Sequence, residues 1–416
     1  MSENLRRKSC AVSIGFLLIA SGNLSLLLCA TRSDPVGLGR GLSQAKQATS
    51  LNSIGPGFDG ENVRKHLTLI LERFQSQSHF PGATLAVYFP DQPSISIAVG
   101  LSDRDKGIKM APNDRMLTGS AGKTFFAALA LQLVAQNKLR LDEPIGTYLA
   151  REPWFSRLPN ANQVTVRMLM SHMSGFGEYG EKFMASLVND PMRQRSHMEL
   201  IECLFDSVPT SRPGQQFRYS DLNFDLLAMI LEHVTKTPAY VEIERRFLRP
   251  LRLQDTLPSD RPRIPGLIPG YAGKSNPFGG DIMMKDGQMI LNPQFEWGGG
   301  GFASTAENLA RWISAFCEGR AFSTSLWPEV VKGVNAPEVG KGSRYGLGIH
   351  IDETPIGRAY GHGGFFPGYF TWIRWYERQK VAVAIQLNTS DNSLVNRDLK
   401  EILDEAATAV VQQTNR

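Results

Sequence analysis

With 42% hydrophobic side chains, the 416 residues can fill the core of one large domain or two joined ones, which excludes a chain that is disordered throughout. The net charge of +5, which falls to +3 without the first 30 residues, is too mild to point to nucleic acid. Neither the four cysteines nor the seven histidines show CxxC or HExxH spacing, so no redox motif, metal or other cofactor is implied.

Arg6-Arg7-Lys8 followed by the apolar run 11–28 has the layout of an export signal, so the chain is expected to act in the periplasm or elsewhere outside the cytoplasm. Ala30 suits cleavage but Leu28 does not, which leaves an uncleaved membrane anchor or lipidation at Cys29 as alternatives. Residues 31–58, rich in glycine and proline without periodicity, read as a tether, and 59–416 as the globular domain. From Glu61 to Ser78, Val63, Leu67, Ile70, Leu71 and Phe74 recur at helical spacing. Ala83–Phe89 and Ser94–Val99 then form a predicted hairpin around Pro90-Asp91-Gln92-Pro93.

Ser120 and Lys123 stand three residues apart where an Ala- and Leu-rich helix begins, so the amine can reach the hydroxyl and prepare a nucleophile. Ser43 and Lys46 repeat the spacing inside the tether, so spacing alone decides nothing. The middle of the chain, to about Ala310, is predicted mainly helical. Cys203 and Cys317 lie in apolar helical surroundings and are expected as buried thiols, with a disulfide as the alternative. Strand signals return at Tyr345–Ile351, Tyr369–Tyr376 and Val381–Leu387, and a helix bearing Leu399, Ile402, Leu403, Ala406 and Val410 closes the chain. Strands near both ends predict one antiparallel sheet covered by helices, an α/β (α+β) fold with a helical insertion.

Six segments in order resemble the serine β-lactamase and penicillin-binding DD-peptidase superfamily, in the branch of class C β-lactamases, family VIII esterases and D-amino-acid peptidases. They are Ser120-Ala121-Gly122-Lys123, Lys138–Pro144, Val166–Gly175, Pro213-Gly214 with Phe217–Asp221, Gly299–Ala306, and Gly361-His362-Gly363-Gly364. The resemblance, which spans about 60–410, implies a β-lactamase/transpeptidase-like fold and a serine hydrolase that forms an acyl-enzyme on Ser120. It makes Lys123 and Tyr219 a joint base, and His362 a proton shuttle or a ligand for a substrate carboxylate. The backbone N–H groups of Ser120 and Phe365 would form the oxyanion hole, with Asp221, Gly363 and Gly364 beside the substrate. An ordinary lysine, near pKa 10.4, would have to fall by about three units to act as the base.

Two positions depart from the family pattern. Asp221 stands where the family has asparagine, and an ionised carboxylate accepts hydrogen bonds but cannot donate one to a substrate carbonyl. His362 stands where class C enzymes have a permanent positive charge. Both favour an esterase, or a hydrolase of D-amino-acid amides or peptides, over an efficient β-lactamase. A non-catalytic peptidoglycan-binding descendant is the rival reading. The expected partner is a small ester, β-lactam or peptidoglycan-peptide substrate, with membrane attachment through the N-terminus and oligomeric state left open. Three other motifs fail: a P-loop lacks its first glycine at Leu117, a nucleophile elbow lacks one at Thr118, and Ser390-Asp391-Asn392 comes after His362, in the wrong order.

Overall fold

The structure, a computed structural model, describes residues 59–414. The export signal, Cys29, the tether and Ser43–Lys46 lie outside the described residues. Helix α1 (Gly60–Ser78) starts at Asp59, whose carboxylate accepts from the N–H groups of Glu61 and Asn62, and ends at His79 in the left-handed region. It buries the five apolar residues that its periodicity singles out.

Strands β1 (Gly82–Tyr88), β2 (Ile95–Asp103) and β3 (Ile108–Lys109) open an antiparallel nine-stranded sheet. It is completed by β4 (Val334–Asn335), β5 (Arg344–Tyr345), β6 (His350–Thr354), β7 (Gly357–Phe366), β8 (Tyr369–Tyr376) and β9 (Val381–Leu387). The spatial order, β3-β2-β1-β9-β8-β7-β6-β5-β4, joins both ends of the chain where β1 pairs with β9.

Both faces of the centre are covered, so β9 is buried along its whole length and reads as one apolar run. Val381, Val383, Ile385 and Leu387 pack toward α1 and the closing helix α5 (Leu399–Thr414). On the opposite face Ala86, Ala382 and Ala384 are small, which lets α4 (Ala306–Cys317) approach the backbone closely. Helix α2 (Lys123–Ala135), apolar almost all round, is the buried axis of the helical part, and α3 (Asp221–Thr235) packs against it. Among the described residues no helix is long and apolar enough to cross a membrane. Cys203 and Cys317 are free thiols.

Three details differ from the expected elements. Ser120 lies on a 3-10 turn, Gly119–Gly122, that precedes α2 rather than in its first α-turn. His362 lies inside the ten-residue strand β7, paired with Ile373, where the sequence predicts no strand. The expected strand 345–351 is divided between β5 and β6 by a turn.

Strand β6 pairs with β7 only as far as His350 opposite Gly361. Beyond that point the β7 edge meets the Gly119–Gly122 turn instead of a strand. A Cβ on Gly364 would lie 1.9 Å from the Thr118 carbonyl oxygen, and one on Gly119, where φ is +51°, would lie 2.4 Å from Phe365 N. The glycines therefore let the strand and the turn dock backbone to backbone.

Candidate active site

The docked turn places Ser120 in a partly open cleft lined by Ser120, Glu178, Tyr219, Asp221, Val339, His350, His362, Gly363, Phe365 and Trp372. Lys123, fully buried at the start of α2, holds Nζ 3.0 Å from Ser120 Oγ. The same ammonium lies 2.5 Å from Asp221 Oδ1 and donates to the Gly299 carbonyl, so its three donors meet three acceptors. Asp221, the first residue of α3, is thus an ion-pair partner of Lys123 as well as a wall of the cleft.

Tyr219 lines the same cleft as the nucleophile. Burial, and after it the Asp221 charge, pushes its phenol well above the ordinary tyrosine range, while Ser120 pulls the other way. The hydroxyl itself is buried and stops short of good hydrogen-bond geometry with any protein group. Its ring stacks on His172 at 4.2 Å. His172 Nδ1 accepts from the Ser220 N–H at 3.3 Å, which ties the imidazole to the loop that carries Tyr219.

His362 shares the cleft with Ser120, but both of its ring nitrogens bond elsewhere: Nδ1 to the Gly363 carbonyl at 2.6 Å and Nε2 to the Tyr345 hydroxyl at 2.8 Å. Burial, and then the nearby Lys123 charge, holds it down at about 3, so it is neutral. The structure therefore brings Ser120, Lys123, Tyr219, Asp221, His362, Gly363 and Phe365 to one site, with the Gly364 backbone packed against Thr118 and Ala121 on either side of Ser120. Phe365 and Trp372 are the aromatic rings beside Tyr219 in the cleft wall, while Trp297, Phe366 and Tyr369 are buried in the core.

Sequence reasoning missed the acids around Lys123. Glu178 accepts from the N–H groups of Asp221 (2.8 Å) and Tyr179 (2.9 Å). Asp225 accepts from the Tyr179 hydroxyl at 2.6 Å, and Glu296 keeps Oε2 buried without a partner. Burial pushes all three carboxyl groups well above their usual range, and the Asp221 charge adds to this in each. Four carboxyl groups and one ammonium thus settle as a single ion pair and three neutral acids, because a nest with a net charge of −3 would be too costly to bury. The signal available was position alone: Glu178 stands three residues after the matched segment that ends at Gly175, and Glu296 three before the one that starts at Gly299.

That charge state predicts how stability depends on pH. Glu296 keeps its proton in the fold, whereas the unfolded chain releases it near pH 4.3, about the ordinary glutamate value. Above that pH the native state binds more protons than the unfolded one, so this residue's contribution to stability falls as pH rises toward the native pKa. Glu296→Gln should therefore raise the melting temperature relative to the parent at pH 8 and lose that advantage at pH 4. Calorimetry at the two pH values measures it, and an equal difference at both would contradict the neutral assignment.

The chain belongs to the beta-lactamase family, whose model matches residues 67–407. It is accordingly a serine hydrolase of the β-lactamase/transpeptidase-like fold. It is 25% identical over 340 residues to the teichoic acid D-alanine hydrolase of Staphylococcus aureus, covering 78% of this chain and 74% of the relative. Among solved structures it resembles a D-stereospecific amidohydrolase from Streptomyces sp., with a TM-score of 0.67 and 25% identity over 81% of this chain and 97% of that one. It shares the fold of the D-amino acid amidase from Ochrobactrum anthropi SV3, with a TM-score of 0.72 at 21% identity over 84% and 99% of the two chains.

Proposed function

We propose that the chain hydrolyses amides or esters of D-amino acids through an acyl-enzyme on Ser120. The observation that carries this reading is the 3.0 Å contact between Ser120 Oγ and Lys123 Nζ, in a cleft whose wall holds the carboxyl groups of Glu178 and Asp221. Lys123 rests as the ammonium; when a substrate cation enters beside Asp221 it releases one proton to solvent, and as the amine it donates to Asp221 and Gly299 and accepts the Ser120 proton as Oγ attacks the carbonyl carbon. The same three contacts then serve the ammonium, so no heavy atom has to move.

Tyr219 passes its hydroxyl proton to the leaving nitrogen or oxygen and is reprotonated from Lys123. The pair repeats the transfers when water attacks the acyl-enzyme. The Ser120 and Phe365 N–H groups face the developing oxyanion, and one such donor is worth about 3–4 kcal/mol. Because Asp221 can only accept while ionised, the substrate group beside it is a donor. A free α-ammonium group fits between Asp221 and Glu178, and its charge would draw Glu178 into the carboxylate form. The names of the relatives, a D-alanine hydrolase and D-specific amidases, support the same acyl group. The N-terminal charge pattern and apolar run support action outside the cytoplasm.

The test compares D-alanine amide, its N-acetyl derivative, the L-enantiomer, p-nitrophenyl butyrate and a fluorescent penicillin. The D-amide should be the preferred substrate, and N-acetylation should lower kcat/KM by about 100-fold, the equivalent of the ~3 kcal/mol that one unsatisfied buried polar group costs. Equal rates for the free and acetylated amines would reject the ammonium site. Fast release of hydrolysed penicillin would favour a β-lactamase, and silence toward every compound would favour a binding protein.

A further inference from the structure

Among the described residues the cleft offers a substrate no free cation. None of its lining residues is lysine or arginine; Lys123 behind them is already bonded to Ser120, Asp221 and Gly299, and Lys400, over the Trp372 ring, donates to the Val339 carbonyl and pairs with Asp352. The lining side chains that could gain a positive charge are His350 and His362.

The hydrogen bonds of His362 fix its state. A carbonyl only accepts, so the 2.6 Å contact with Gly363 O makes Nδ1 the protonated nitrogen. Nε2 then carries the lone pair, and the Tyr345 hydroxyl at 2.8 Å is the donor to it. Tyr345 is fully buried on β5, with its ring against His172, His350 and His362. The other groups around His362 do not invite a second proton: Lys123 is cationic, and His172 and His350 are imidazoles that burial keeps neutral. Tyr219 lies alongside as a neutral phenol, and the acids Glu178 and Asp221 line the same cleft.

A leaving group that ends in a carboxylate would therefore meet two acidic side chains and two neutral imidazoles, and would lose its hydration with no counter-charge in return. Ammonia, simple amines and alcohols carry no such penalty. We propose that Tyr345 determines leaving-group specificity: by donating its hydroxyl proton to His362 Nε2, it withholds that imidazole from substrate carboxylates and restricts hydrolysis to leaving groups without one. This rests on the D-aminoacyl reading above and adds the other half of the substrate. Tyr345 acts through His362, as a positioning residue.

Tyr345→Phe keeps the ring packing and removes only the donor, which leaves Nε2 open to take a proton when a carboxylate binds beside it. The assay measures kcat/KM for D-alanine amide and for D-alanyl-D-alanine, which share an acyl group, from pH 5 to 8. The parent should cleave the dipeptide about 100-fold more slowly than the amide, and the variant should raise the dipeptide-to-amide ratio by about 10-fold, most strongly toward pH 5. An unchanged ratio, or parallel loss on both substrates, would overturn the proposal. Nitrogen-15 spectra of labelled histidine give a readout independent of turnover. The parent should show His362 as the Nδ1–H tautomer with or without added acetate, and the variant should become protonated when acetate is added. Failure of the parent to cleave D-alanine amide counts against the D-aminoacyl reading alone. An His362 signal that ignores acetate in the variant counts against Tyr345.

Discussion

Ser120→Ala should remove hydrolysis of every substrate, with kcat falling by about 10⁴- to 10⁶-fold, because the acyl group then has no oxygen to which it can transfer. Stability should change by no more than about 1 kcal/mol, the net worth of one hydrogen bond, since Ser120 is half-buried and its hydroxyl accepts one such bond from Lys123. Steady-state rates and a thermal melt measure the two arms. Activity within about tenfold of the parent would remove Ser120 from the chemistry, since a nucleophile cannot be that dispensable.

Lys123→Met should damage both catalysis and the fold. The methionine fills similar volume but leaves the Asp221 carboxylate facing buried acids without its cation, and breaking such a pair costs about 3–5 kcal/mol. Activity should fall by about 10³-fold or more, as it does when a proton-transfer partner of a nucleophile is lost. Adding Asp221→Asn to the same chain should restore a large part of the stability, because no unpaired charge remains, and none of the activity. Recovery of both would make Lys123 a structural residue. Recovery of neither would place the damage in packing rather than in charge. The four-variant cycle, measured by denaturant unfolding and by rate, separates the two contributions.

The chain-order signals carried far because they rest on local geometry. The i,i+3 spacing of Ser120 and Lys123 becomes a 3.0 Å contact, and the apolar periodicities of α1 and α5 mark the faces they bury. Strand-rich stretches near both ends do meet in one sheet, with β1 beside β9.

What stayed hidden depends on contacts between distant elements. Strand β7 carries Gly361, Gly363 and Gly364, which depress strand propensity, yet Gly364 has to be there because the Thr118 carbonyl occupies the space of a side chain. Tyr345 and His362 are 17 residues apart on strands separated by β6, and no periodicity links them. Glu178, Asp225 and Glu296 look like solvated acids in the sequence, and only the fold shows them packed around one ammonium. The glycine run 298–301 follows Trp297, a non-glycine residue at φ +28° stacked on His197 at 3.6 Å, and only the fold shows that it delivers the Gly299 carbonyl to Lys123.

The central claim is a covalent bond between substrate acyl carbon and Ser120 Oγ. Incubation with penicillin or with a D-phenylalanine p-nitrophenyl ester, an acid quench, and mass spectrometry of peptic peptides test it most directly. The account predicts the acyl mass on the peptide that contains Ser120, and its absence from Ser120→Ala treated in the same way. Turnover with no adduct, or an adduct on any other residue, would contradict it.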